Sequence, residues 1–80
     1  MWIFPELLTT RTEKEQATKV IDEANEFLET PTDNECVDIF HSVETLLRIR
    51  FKGRKKEMEE MIKQVIEKNT KRNYYSKKVY

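Results

Sequence analysis

The sequence predicts an all-α fold: three antiparallel helices forming a partial bundle that oligomerisation completes. Three observations carry this expectation. Apolar residues recur three and four positions apart in three successive stretches. The 80 residues include one glycine and two prolines, too few for the tight turns of a strand-rich chain. Apolar residues make up 38% of the chain, enough for a thin core that leaves a lone subunit marginal. Self-association is a common remedy, so a homo-oligomer, dimer or tetramer, is expected.

The first helix is expected from about Thr12 to Glu29, with Ala17, Val20, Ile21, Ala24, Phe27 and Leu28 as its stripe. Thr30, Pro31, Thr32 and Asp33 break it, because proline cannot continue a helix. Thr32 or Asp33 can cap the second helix, with Glu35 in its first turn. That helix is expected from about Asn34 to Phe51, with Cys36, Ile39, Phe40, Val43, Leu46 and Leu47 as its stripe. Gly53 is the natural stop, in the left-handed conformation glycine tolerates. The third helix is expected from about Lys55 to Arg72, with Met58, Met61, Ile62, Val65 and Ile66 facing the core or an oligomer seam. A basic, aromatic tail, Asn73 to Tyr80, follows. Short links make neighbouring helices antiparallel. Eighty residues allow one domain at most.

Several classes drop out. Cys36 is the only cysteine, so no internal disulfide forms, which fits a reducing compartment. No apolar run approaches the roughly 18–20 residues that span a bilayer, and no membrane partner is expected. Met1 to Leu8 lacks a basic start and carries Pro5 and Glu6, a poor signal peptide. A cytoplasmic protein is expected. The net charge of zero hides a split: residues 1–40 hold 3 Lys/Arg and 10 Asp/Glu, residues 41–80 hold 12 and 5. Either the halves pair across a bundle, or they perform two electrostatic tasks.

The acidic residues have a pattern. Glu23 and Glu26 are three apart and share one flank of a helix; Glu35 and Asp38 repeat the spacing on the next. Both pairs border an apolar stripe, where facing helices bring side chains together. Converging carboxylates repel one another and raise their own pKa values unless a cation joins them. Oxygen-only ligands suit Mg²⁺. His41, one turn after Asp38, is weak evidence for a further ligand. Glu-x-x-Glu alone is common on exposed helices, so a solvated acidic face stays open beside the metal site.

The string Lys19-Val-Ile-Asp-Glu23-Ala-Asn-Glu26-Phe-Leu, followed by Glu35-Cys-Val-Asp38-Ile, resembles the signature of MazG-like all-α nucleoside triphosphate pyrophosphohydrolases. The resemblance covers roughly residues 13–75. It implies Mg²⁺ held by Glu23, Glu26, Glu35 and Asp38, and hydrolysis of a nucleoside triphosphate to monophosphate and pyrophosphate. Lys19 matches a lysine frequent one turn before the first glutamate. Lys68-Asn69-Thr70-Lys71-Arg72 resembles a basic run late in the family, which implies that Lys68, Asn69 and Arg72 join Lys19 in binding the substrate phosphates. The link from Glu26 to Glu35 is short for the family, and the helix that usually precedes the first motif is reduced to Met1–Thr10.

Glu26 is the expected general base, a carboxylate left free to take a proton from water. Trp2, Phe4, Tyr74 and Tyr75 either stack on the base or seal a bundle end. Two rival readings remain. One is a nucleic-acid binder through Lys68, Lys71, Arg72, Lys77 and Lys78 with interleaved tyrosines; the acidic half opposes it, and nucleic acid is not the expected partner. The other is a non-catalytic helical adaptor that completes a partner's bundle.

Overall fold

The computed structural model describes residues 2–75; Lys77, Lys78 and Tyr80 of the basic tail lie outside the described residues. The chain divides into two compact units, Met1–Arg50 and Phe51–Tyr80. The helices are α1 (Glu13–Glu29), α2 (Asp33–Arg50) and α3 (Lys55–Lys71), and the described residues contain no strand. No described helix is long and apolar enough to cross a membrane.

In the first unit, α1 opens with a capping box. The Glu15 amide donates to Thr12 Oγ1 at 3.1 Å, and the Thr12 amide donates to Glu15 Oε1 at 2.9 Å. At the other end Pro31 forces Thr30 out of helical geometry, to φ −137°. Thr32 then caps α2, its Oγ1 accepting from the Glu35 amide at 3.2 Å. Thr32 is therefore the cap and Asp33 the first helical residue. So short a link folds α1 back along α2. Glu13 meets Arg50 and Gln16 meets Ser42 near the open end, and Glu23 meets Glu35 and Asp38 near the link.

The interior of this unit is polar. Gln16, Glu23, Ser42, Glu44 and Thr45 are buried, Gln16 at 1% exposure. Val20, Ala24, Phe27, Ile39, Val43, Leu46 and Leu47 are only half-buried. Ile21, Leu28, Cys36 and Phe40 are exposed, which departs from an apolar seam made of both stripes. The reason is geometric. A core-facing stripe spans 100° or so of a helix, and one neighbouring helix covers only part of it.

The segment before α1 straps onto α2. Glu44 accepts from the amides of Ile3, at 3.0 and 3.1 Å, and Phe4, at 2.7 Å. Arg48, one turn later, donates to the Phe4 carbonyl at 2.6 Å and lies over the Trp2 ring. Phe4 packs edge-on against Phe40 and tilted against His41, with centroids 5.4 and 4.7 Å apart. Burial pushes the Glu44 carboxyl up, but the Phe4 and Ile3 amides and the Arg48 charge outweigh it, so the net direction is down.

In the second unit, Gly53 takes φ +72° after α2 ends, as a residue free of a Cβ can. The far end of α3 is closed by a Schellman motif. The Tyr74 amide donates to the Asn69 carbonyl and the Asn73 amide to Thr70, both at 3.0 Å, with Asn73 at φ 61°. On the α3 stripe Met58 is buried, and Met61, Ile62, Val65 and Ile66 are exposed.

Two changes to α1 separate interior from surface polarity. Gln16→Ala strands buried groups and should lower the unfolding free energy by about 1–3 kcal/mol. Glu13→Ala removes an exposed ion pair with Arg50 and should cost under about 1 kcal/mol. Urea denaturation followed by circular dichroism measures both, and equal losses would contradict a polar interior that orders the hairpin.

Candidate metal centre

The α1–α2 hairpin brings three of the acidic residues together. Glu23, Glu35 and Asp38 each offer one carboxylate oxygen, and the three atoms all lie within 4.8 Å of one another. Glu23 is buried, Glu35 half-buried and Asp38 exposed, so the cluster runs from the interior to the surface. Glu26 stands beside the three, near enough for the charges of Glu23 and Glu35 to act on it.

Lys19 holds one oxygen of the innermost carboxylate, with Nζ 2.9 Å from Glu23 Oε1. The other oxygen, Glu23 Oε2, is buried and has no hydrogen-bond partner, and Glu35 Oε2 shares that condition. A buried acceptor without a partner costs roughly 1–3 kcal/mol. Two such oxygens beside a third carboxylate make a donor set that fits a hard divalent cation.

The electrostatics divide Glu23 from Glu26. The Lys19 hydrogen bond, opposed by burial and aided by the Lys19 charge, holds Glu23 below the usual carboxylate range. Glu26 moves the other way: its close neighbour Glu23 raises it first, with smaller contributions from burial and the charge of Glu35. Neighbouring carboxylates driven apart in this way are suited to different tasks, one holding charge and one taking a proton. Helix ends add to the contrast. Glu35 sits in the first turn of α2, where the helix dipole favours an anion. Glu26 lies near the C-terminus of α1, whose last turn carries no base to offset it.

Beside the cluster is a cleft of about 200 Å³, lined by Arg11, Gln16, Lys19, Glu23, Asp38 and His41 among others. His41 thus faces the same space as two of the carboxylates. Lys68, Asn69 and Arg72 belong to the end of α3 in the second unit. The Arg72 amide donates to the Lys68 carbonyl at 3.2 Å, so this end is capped rather than frayed. Asn69 Nδ2 lies 3.4 Å from the Tyr75 hydroxyl, and the Arg72 side chain is exposed.

Arg11 and Gln16 escape a search for acidic motifs and apolar stripes. The sequence does carry a signal for Gln16. It lies four residues before Val20, and Glu23 and Phe27 continue the same line at three and four. Polar residues embedded in an apolar line mark buried polar contacts.

Glu26 gives a stability test of the cluster. Its folded-state pKa lies above the unfolded one, so ionised Glu26 disfavours the folded state at neutral pH. The penalty develops as pH rises through the raised value and is absent below the unfolded value. Glu26→Gln should therefore raise the melting temperature of the metal-free protein at pH 7 and lose that advantage in acid. Thermal melts across pH measure the difference, and a variant less stable than wild type at pH 7 would contradict the repulsion. No protein-family model, curated protein or solved structure matches the chain.

Proposed function

We propose that the chain is a Mg²⁺-dependent nucleoside triphosphate pyrophosphohydrolase, converting a (d)NTP and water to (d)NMP and pyrophosphate. The observation that carries the proposal is the convergence of Glu23, Glu35 and Asp38 from two helices, two of them with unpartnered buried oxygens. The motif resemblance to MazG-like enzymes supplies the reaction. Glu23, Glu35 and Asp38, with Glu26 beside them, would hold the ion. When bound, Mg²⁺ supplies neutralisation of phosphate charge and acidification of a water.

The chain's own groups do the rest. Glu26, at the side of the three ligands, takes the proton of the attacking water on a carboxylate oxygen. The new bond joins water oxygen to the α-phosphorus, the bond from that phosphorus to the bridging oxygen breaks, and pyrophosphate leaves with its electron pair. Lys19 balances Glu23 and offers charge to the phosphates. Lys68, Asn69 and Arg72 are proposed as further phosphate-binding groups, Arg72 as a bidentate fork. The half-covered apolar stripes of α1 and α2 support a homo-oligomer that completes the bundle. The same stripes favour the alternative, a non-catalytic adaptor, which predicts no metal dependence.

Substituting Glu23→Ala or Asp38→Ala should cut Mg²⁺-dependent pyrophosphate release by more than about a hundredfold while circular dichroism stays helical. Activity surviving both changes refutes the metal cage, whereas a wild-type chain that releases no pyrophosphate with or without Mg²⁺ leaves the adaptor. Sedimentation at micromolar concentration should give a mass above the 9.7 kDa of one chain; a monomer would remove the oligomer from the proposal.

A further inference from the structure

The cleft beside the carboxylates has a second, basic edge that the acidic motifs do not explain. Arg11, from the strap just before α1, and Lys19, from α1 itself, both line it, opposite in charge to Glu23 and Asp38. The position of Arg11 is built rather than incidental. One guanidinium nitrogen donates to Gln16 Oε1 at 3.1 Å, and Gln16 Nε2 donates to the Ser42 carbonyl at 3.0 Å. Gln16 is 1% exposed, so a fully buried amide anchors Arg11 to α2. Among the described residues no carboxylate makes an ion pair with the Arg11 guanidinium. Its charge reaches the Glu15 carboxyl, which it helps to lower, and the Lys19 ammonium, which it opposes. A guanidinium carries five N–H donors, and only one is needed by Gln16.

We propose that Arg11 is a phosphate-binding residue, forming with Lys19 the anion subsite of this cleft and receiving the pyrophosphate portion of the substrate. The assignment rests on the pyrophosphohydrolase reading for its substrate and on the cleft for its geometry. A cation among the carboxylates and a guanidinium across the cleft would grip a phosphoanhydride chain from two sides. The planar fork of arginine matches two phosphate oxygens at once, which an ammonium cannot do. Gln16 is then a positioning residue that keeps the fork turned into the cleft.

The probe is inorganic pyrophosphate, titrated calorimetrically into the full chain with Mg²⁺ and again in chelator. Arg11→Ala should weaken pyrophosphate binding about tenfold to a hundredfold, as loss of charge-assisted hydrogen bonds implies. Mg²⁺ binding without phosphate should stay as in wild type. Lys14→Ala, an equal charge loss at an exposed α1 position, should leave pyrophosphate binding unchanged. Wild-type binding by Arg11→Ala overturns the assignment and leaves the metal reading intact, as does a loss of equal size in Lys14→Ala. If wild type fails to bind Mg²⁺ yet loses pyrophosphate binding with Arg11→Ala, the enzyme reading falls and the subsite stands. Should Arg11→Ala lose helicity, Arg11→Lys decides, since it keeps the charge and lacks the fork. Weaker pyrophosphate binding in that folded variant supports the assignment, and unchanged binding overturns it.

Discussion

The first unit is organised around a repulsion. Glu23, Glu35 and Asp38 bring carboxylate oxygens within 4.8 Å of one another, with Glu26 close enough for its own proton to be held more tightly. Like charges at this spacing drive helices apart unless something opposes them. Lys19 opposes it at one oxygen of Glu23, and the α2 N-terminus does so at Glu35. The remaining cost is carried by the hairpin, whose short link keeps α1 and α2 together near the cluster. Buried carboxylate oxygens left without partners are a form of local destabilisation that clusters at functional sites.

What holds the hairpin at its open end is also polar. Gln16 crosses from α1 to the Ser42 carbonyl, and Glu13 meets Arg50. Glu44 and Arg48 hold the strap by its backbone, accepting from two amides and donating to one carbonyl. Contacts of this kind specify register better than apolar packing does, because each donor must meet a particular acceptor. The apolar stripes are left half-covered, so burial by a second surface would add the hydrophobic contribution that a polar interior lacks.

The strap ties the two features together. The same short segment that supplies Trp2 and Phe4 as a seal over α2 also carries Arg11 to the cleft. A cleft lined by both carboxylates and basic side chains is what the proposed phosphoanhydride chemistry needs, since substrate charge must be balanced along its length.

Much of the helical framework of both units was legible in the sequence, because its signals are local. Helical spacing and the breakers Pro31 and Gly53 each act within a few residues, so three helices follow from the chain alone; the Thr12–Glu15 box that opens α1 came only with the structure. The two acidic pairs were legible as pairs for the same reason. Tertiary structure alone decided that Glu23, Glu35 and Asp38 share one small volume with Glu26 at its side, whereas the Lys19–Glu23 pair follows from i,i+4 spacing within α1. The tertiary structure alone put Gln16 rather than an apolar residue in the interior, and Arg11 on the cleft that Glu23 and Asp38 also line. These depend on how α1 is rotated and shifted against α2, and a helix pattern fixes which side chains share a face but not which residues of the next helix they meet.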